Sequence, residues 1–544
     1  MIFDRRDALE RLANEQFDVL VVGGGITGAG VALDAASRGL TTALVERDDF
    51  ASGTSSKSSK LVHGGLRYLQ QKEFRLVYEN LAERHIARKN APHLVRVLPF
   101  LLPIMGKGGV INPRLARALG WALWMYDLTG GARLGRLHKR ISKEAALAHM
   151  PVLPPERVGT SYLYYDAQAD DARLTLAIAR TAAEHGAVVA NRTRAVGFLG
   201  DAAITGARVE ADGATFPVRA RRVVNASGVW SDEIRALDEG ADPHSIRPAK
   251  GIHITVPWSK VRNDIAAIIP VPKDRRSVFV VPWGDQTYIG TTDTDYQGPI
   301  DDPQCTPDDV TYLLNAINAS STEKITEADV VGTWAGLRPL LAEASNERTA
   351  DLSRRHAVSV SDRGLVTVTG GKLTTYRRMA EDTVDRVVEL DGKRARCRTK
   401  RLPLTGARGF EHPTGGGEPS VHAHLAFRYG TEAVEILALV DSDSRLGQPL
   451  VTGLPYLRAE AVWAVEAEMA TTLDDVLSRR TRARLLARDA SAAAADDVAR
   501  LIAPALGWDD DEITRQVGHY RRSVAAERDA AELPETALDA SLGA

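Results

Sequence analysis

The stretch Phe17–Asp48, FDVLVVGGGITGAGVALDAASRGLTTALVERD, constrains the fold more than any other part of the chain. It reads as a β-rich apolar run, a glycine turn, a helix of small residues (Ile26 to Ser37) and a second strand ending at Glu46. Gly23 to Gly28 fits G-x-G-x-x-G, and each glycine has its own task. Gly23 permits the tight turn, Gly25 lets a pyrophosphate approach the backbone, and Gly28 lets the helix pack close to the sheet. The helix N-terminus offers free N–H groups and the positive end of a dipole to phosphates. Glu46 stands where an acid binds both hydroxyls of an adenosine ribose, which disfavours a 2′-phosphate and speaks against NADP. A dinucleotide site follows; the stretch by itself leaves NAD and FAD open.

The remaining 512 or so residues set broad limits. A chain of 544 residues exceeds one core, so two or three domains are expected. Lys and Arg (69) nearly balance Asp and Glu (71), which gives no electrostatic case for nucleic acid. Two cysteines, Cys305 and Cys397, without a C-x-x-C, speak against a disulfide framework or a thiolate metal site and for a reducing cytoplasm. The charged start MIFDRRDALERLANEQ lacks the apolar core of a signal peptide. No run reaches the ~18 apolar residues of a spanning helix, so a soluble or peripherally bound protein is expected, with no metal-ligand cluster.

After Glu46, Asp49 to Tyr68 (DFASGTSSKSSKLVHGGLRY) is dense in Ser, Gly and Lys, yet carries Leu61, Val62, Leu66 and Tyr68, which a free loop would not need. Hydroxyls of Ser55, Ser56, Ser58 and Ser59 suit phosphate or ribitol oxygens. Gly64-Gly65 would let the backbone approach a flat ring, and His63 and Arg67 flank the pair. A structural histidine and a catalytic one are both open for His63. Glu73 to Lys89 has a helical pattern. Asn112 to Arg140 holds an amphipathic helix with Leu115, Leu119, Ala122, Leu123 and Tyr126 near one face. Trp121 and Trp124 lie beside it, with Arg114, Arg117, Arg133, Arg136, Lys139 and Arg140 around it. Two readings stand: an ordinary packed helix with a basic flank, or an interfacial membrane segment.

Further on, Asp166 to Arg194 reads as helix then strand, with Asp171 at the N-terminus and Gly186 at the end. ARRVVNASGVWSD (Ala220 to Asp232) is again strand, small turn, helix, and would bring backbone to the dinucleotide at a strand end. Arg247 to Thr294 alternates as an antiparallel sheet, with His253 in one strand as either a structural or a catalytic group. Thr306 to Asn318 reads as a helix. Arg338, between Leu337 and Pro339 in GLRPL, is a constrained guanidinium suited to an oxyanion. Gly370-Gly371 is a second glycine turn feeding a helix, with Lys372 at the turn. Leu402 to Ser420 reads as a linker, and the chain from Val421 is largely helical with a disordered tail after about Leu533. Glu466, Glu468, Asp474 and Asp475 are followed by Arg479, Arg480, Arg482 and Arg484, which indicates solvated faces or ion pairs rather than a metal site.

Taken together, VVGGGITGAGVALDAASRGL, SSKSSKLVHGGLRYL, EFRLVYENLAERH, DDARL, VVNASGVW, GTTDTDY, GLRPL and TGGKLTTYR resemble the FAD-dependent glycerol-3-phosphate dehydrogenases over roughly Phe17 to Leu390, and the helical end resembles that family's C-terminal cap. The resemblance decides FAD over NAD. It implies an α/β fold: an FAD-binding Rossmann-like domain of the glutathione-reductase type (about 17–90, 160–235 and 335–395), an antiparallel-sheet substrate domain (about 91–159 and 240–334), a linker over 402–420, a C-terminal helical domain over 421–535 and a tail over 536–544. It implies hydride transfer from C2 of sn-glycerol 3-phosphate to flavin N5, giving dihydroxyacetone phosphate, with membrane quinone as electron acceptor. The implied cofactor residues are Gly23, Gly25, Gly28, Glu46, Ser55, Ser56, Ser59, Gly64, Gly65, Ala195, Ala226, Gly228, Gly371, Lys372, Leu373 and Thr374. Arg67, Tyr68, Arg338 and Lys372 are the implied substrate contacts, and His63 and His253 are candidate bases, His63 favoured because Gly64-Gly65 should bring it to the ring. The expected setting is the cytoplasm, peripheral on the inner face of the cell membrane, without nucleic acid and compatible with a homodimer. A glycerol-3-phosphate oxidase, an FAD amino-acid oxidase and a flavoprotein without turnover are the rival readings.

Overall fold

A computed structural model describes residues 3–66, 73–106, 113–272, 276–342, 356–413 and 420–536. The first strand, Gln16–Val22, sits in the middle of an eight-stranded sheet, parallel to Ala214–Asn225 on one side and Thr42–Val45 on the other. Val19, Leu20 and Val21 are fully buried, as an unbroken apolar strand covered on both faces should be. Val366–Gly370 continues the parallel run beyond Ala214–Asn225, and Val188–Ala190 beyond Thr42–Val45. The C-terminal ends of Gln16–Val22, Ala214–Asn225 and Val366–Gly370 therefore lie side by side, and open α/β sheets bind ligands at such ends.

The helix Ile26–Ser37 packs between Asp171–Glu184 and Tyr376–Leu390. Its alanines and glycines permit this close approach, and they share one apolar core with Val19, Val21, Leu174, Ile178, Ala380 and Val384.

A ten-stranded second sheet is mainly antiparallel, running Thr294–Asp295, Ile246–Pro257, Gln286–Gly290, Ser277–Trp283, Ala266–Pro270, Arg96–Met105, Val158–Gln168 and Leu61–Val62. One pairing departs from expectation: Ala266–Pro270 runs parallel to Arg96–Met105. The sheet also draws in segments from outside 91–159 and 240–334. Leu61–Val62 and most of Val158–Gln168 pair at one edge, and Gly332–Leu341 pairs along Ile246–Pro257. Strand pairing between distant segments, rather than chain order, sets where this sheet ends.

The helical region runs from Val421–Tyr429 to Asp510–Ala530 around its own apolar core. Its charged residues form ion pairs, as one of the two sequence readings held, but the pairs are buried and reach back to the loop after Thr42–Val45 and to the start of the helix Asp171–Glu184. Arg480 donates to both oxygens of Asp49 (2.7 and 2.8 Å), Arg173 to Glu468 (2.7 Å), and Arg482 pairs with Asp170 and Asp171. The linker is docked where it is described: Leu402 and Leu404 are buried, and the Thr405 N–H donates to Thr181. The chain end also stays ordered further than expected. Leu533 is buried, and Thr536 donates to Asp489 through its N–H and hydroxyl; 537–544 lie outside the described residues.

Candidate active site

A cavity of about 550 Å³ starts at the glycine turn and ends between the two sheets. Gly23 has φ +112°, open to glycine, and its N–H donates to the Val45 carbonyl (2.9 Å). A Cβ on Gly28 would lie 1.9 Å from the Gly23 carbonyl, so the helix can start this close to the strand only with glycine there. The N–H of Ile26, in the helix's first turn, donates to Ser55 Oγ (2.9 Å). Around Gly25 a Cβ would meet only that hydroxyl, at 3.2 Å, which leaves room for a pyrophosphate against the backbone.

Glu46 lines this end. Its carboxylate accepts the N–H of Gly24 (2.5 Å) and of Asp48 (2.8 Å). Burial raises its pKa to about 7, against those two hydrogen bonds. The carboxylate keeps lone pairs for a ribose. Further along, Ala195, Ala226 and Gly228 line the walls, the last two from the turn after Ala214–Asn225.

The far end brings together His63, His253, Arg338, Gly371, Lys372, Leu373 and Thr374, with Phe279. Arg338 lies on the strand Gly332–Leu341, opposite Ala249. Its guanidinium donates to Thr291 Oγ1 (3.1 Å) and pairs with Asp293 (3.2 Å). A Cβ on Gly251 would sit 2.5 Å from its Nη2, so that glycine clears the space the guanidinium fills. His253 stacks on Trp334 (4.6 Å, 9°), and its Nε2 lies 2.9 Å from Ser59 Oγ. A Cβ on Gly290, its cross-strand partner, would run into the imidazole. Burial holds the His253 pKa well below the ordinary histidine value, with Lys60 and Arg338 adding to it, so the ring is neutral at pH 7.

His63 is held from two sides. Its N–H donates to Thr374 Oγ1 (3.2 Å), and the next N–H, of Gly64, donates to the hydroxyl of Tyr126 (3.0 Å). That hydroxyl donates to Asp166 (2.5 Å), which Arg84 also grips (2.5 Å), and Asn80 donates to the Gly64 carbonyl (2.9 Å). These four side chains are buried.

Three expected cofactor contacts sit elsewhere. Gly64 and Gly65 are not part of the cavity lining; a Cβ on Gly64 would meet Leu81 and Tyr126, so its small size serves packing against two helices. Ser56 is buried and lines a second cavity, whereas Ser55, Ser58 and Ser59 line the first. Arg67 and Tyr68 lie outside the described residues. Sequence reasoning missed Gly251, Gly290, Phe279 and the Tyr126–Asp166 pair. Thr291 and Asp293 stand in the quoted GTTDTDY, the one signal that could have found the Arg338 clamp. Among the described residues no group of His, Cys, Asp and Glu is arranged to hold a metal ion.

An elongated cavity from a G-x-G-x-x-G turn to two histidines and two cations, between two mixed sheets of which the first has a parallel centre, defines a dinucleotide-dependent oxidoreductase. The family model for FAD dependent oxidoreductases matches residues 18–377, and that for the C-terminal domain of alpha-glycerophosphate oxidase matches 397–513. Glycerol-3-phosphate dehydrogenase 2 of Mycobacterium tuberculosis is 43% identical over 537 residues, covering 96% of this chain and 90% of that protein. The human mitochondrial glycerol-3-phosphate dehydrogenase is 37% identical, covering 93% and 73%. The crystal structure of glycerol-3-phosphate dehydrogenase from Bacillus halodurans complexed with FAD superposes with a TM-score of 0.77 at 31% identity, covering 97% of this chain and 98% of that one. The chain belongs to the FAD-dependent glycerol-3-phosphate dehydrogenase family.

Proposed function

We propose that the protein oxidises sn-glycerol 3-phosphate to dihydroxyacetone phosphate with FAD as cofactor and delivers the electrons to a membrane quinone. The observation that carries this reading is the single cavity joining the Gly23–Gly28 turn to His63, His253, Arg338 and Lys372. The residues fit the cofactor: the glycine cradle takes a pyrophosphate, Glu46 the adenosine ribose, and Ala195, Ala226, Gly228, Ser55 and Ser59 the walls between. When bound, FAD supplies the hydride acceptor.

The chain does the rest. Arg338, aligned by Thr291 and Asp293, and Lys372, presented by the Gly370-Gly371 turn, hold the phosphate and oxygens of the substrate. Arg67 and Tyr68 complete that set by resemblance. His63 takes the C2 hydroxyl proton; its backbone is fixed by Thr374 and Tyr126, which supports a defined ring position. His253, already neutral, orients the substrate from the strand Ile246–Pro257, beside that of Arg338.

The membrane part rests on the helix Pro113–Thr129. Leu123 and Tyr126 face the core, while Trp121 (73% exposed), Leu128 (74%), Trp124 and Met125 face outward. An outward face of Trp, Leu and Met is what an interfacial helix presents to a bilayer. No helix among the described residues is long and apolar enough to cross a membrane, which fits peripheral attachment, on the inner face of the cell membrane.

The test is anaerobic addition of glycerol 3-phosphate to the purified protein, followed by a quinone analogue. Bleaching of the flavin absorbance and its return with quinone are expected. No bleaching removes the substrate assignment, and reoxidation only by oxygen, with peroxide, replaces quinone by the oxidase chemistry.

A further inference from the structure

Behind the Ser52–Ser59 loop lies a second cavity of about 770 Å³, between that loop and the helical region. Its volume is in the range of small-molecule sites. Three wall arginines come from one short segment, and each has its counter-charge. Arg479 pairs with Asp49 and Asp474, Arg482 with Asp170 and Asp171, and Arg484 with Glu527 (2.8 Å) and Asp474 (3.3 Å). These pairs order the wall without leaving it charged.

Two lining cations stand apart. Among the described residues the Lys57 ammonium and the Arg522 guanidinium, both lining this cavity, make no hydrogen bond and no ion pair. Lys57 comes from the loop between the two cavities and lines both; Arg522 comes from the helix Asp510–Ala530. Asp302 faces Lys57 but accepts a hydrogen bond from Gln304 (2.6 Å) and makes no ion pair with the lysine. Burial lowers the Lys57 pKa; Asp302 and Asp474 oppose that shift, and Arg484 and Arg479 add to it.

We propose that this second cavity binds a small phosphorylated molecule, held by Lys57 from the cofactor-binding side and Arg522 from the helical side. A phosphate group carries close to two negative charges at neutral pH and three acceptor oxygens. It suits an ammonium point charge and a guanidinium fork presented from separate walls. The neutralised arginines around them keep the field local, so the site selects for an anion that reaches both. Since Lys57 follows Ser55 and Ser56 in the loop shared with the first cavity, the ligand would tie the helical region to the cofactor-binding loop.

The experiment is calorimetric titration of inorganic pyrophosphate into the FAD-loaded full chain. Binding near one equivalent is expected, retained in Arg338→Met and weakened roughly tenfold or more in Lys57→Met and Arg522→Met. Unchanged binding in both of the latter, loss in Arg338→Met, or no heat at millimolar pyrophosphate overturns the proposal. Arg522 is on an exposed helix face, so its variant decides the matter even if Lys57→Met does not fold.

Discussion

The hydroxyl of Tyr126 and the carboxylate of Asp166 meet at 2.5 Å directly behind the peptide that follows His63. Tyr126 belongs to the helix whose other face carries the exposed tryptophans, and Asp166 to the strand Val158–Gln168. The pair thus joins a surface helix, the second sheet and the candidate base. Tyr126→Phe removes one donor from a buried carboxylate and one acceptor from the Gly64 N–H. A loss of about 1–3 kcal/mol in urea unfolding is expected. An unchanged midpoint would show that the pair contributes nothing net.

His63→Asn should slow flavin reduction by roughly a hundredfold or more at saturating glycerol 3-phosphate. Stopped-flow absorbance reads this step directly. The same change at His253 should weigh more on substrate affinity. If His63→Asn reduces at the wild-type rate and His253→Asn does not, the two roles are exchanged.

Glu46 gives a pH dependence with a definite sign. Burial raises its pKa from 4.5 to about 7, so the folded apoprotein binds a proton that the unfolded chain releases. That contribution to stability is complete below pH 4.5 and is lost as pH rises through about 7. Ribose hydroxyls donate to the ionised carboxylate, so FAD affinity should move the other way and tighten from pH 6 to 8. Glu46→Gln should flatten both trends. Parallel pH profiles for FAD binding in the two proteins would remove Glu46 from the ribose site.

Arg480→Met leaves Asp49 buried with two of its charge-assisted hydrogen bonds gone. Arg479 and Asn191 still reach that carboxylate, so a loss of about 3 kcal/mol is expected, at the lower end for a broken buried pair. Denaturant unfolding of the FAD-loaded protein measures it, and a loss below about 1 kcal/mol would place the pair among the exposed kind.

Trp121→Ser combined with Leu128→Ser should reduce sedimentation with phospholipid vesicles several-fold while leaving reduction of a soluble dye unchanged. Equal sedimentation of the variant and the parent would move the membrane contact to another surface.

The parts legible in the sequence are those fixed by near neighbours in the chain. Gly23, Gly28 and Glu46 are set by one βαβ unit, whose spacing states its own geometry. Arg338 and Lys372 were identifiable as constrained cations beside Pro339 and Gly371. What holds Arg338 was not, because Gly251, Thr291 and Asp293 meet it only across a strand register, although the last two stand in the quoted GTTDTDY. Tyr126 counted as one member of an apolar stripe; helical spacing locates the ring in the core but says nothing of the partner its hydroxyl finds 40 residues away. Gly64-Gly65 suggested a close approach, and there is one, to Leu81 and Tyr126 rather than along the cavity wall. The arginine-rich segment read as solvated faces or ion pairs because its countercharges, Asp49, Asp170 and Asp171, are more than 300 residues distant.

That separation has a consequence for synthesis. Asp49 emerges from the ribosome just after the first glycine turn, while the arginine that neutralises it, Arg480, emerges 431 residues later. Until then the loop leading from Glu46 toward Lys57 has an acid at its base with neither arginine partner and no helical region to pack against. The glycine motif that announces the cofactor is translated well before the helical region, so the loop beside it gains its arginine partner only after 431 further residues.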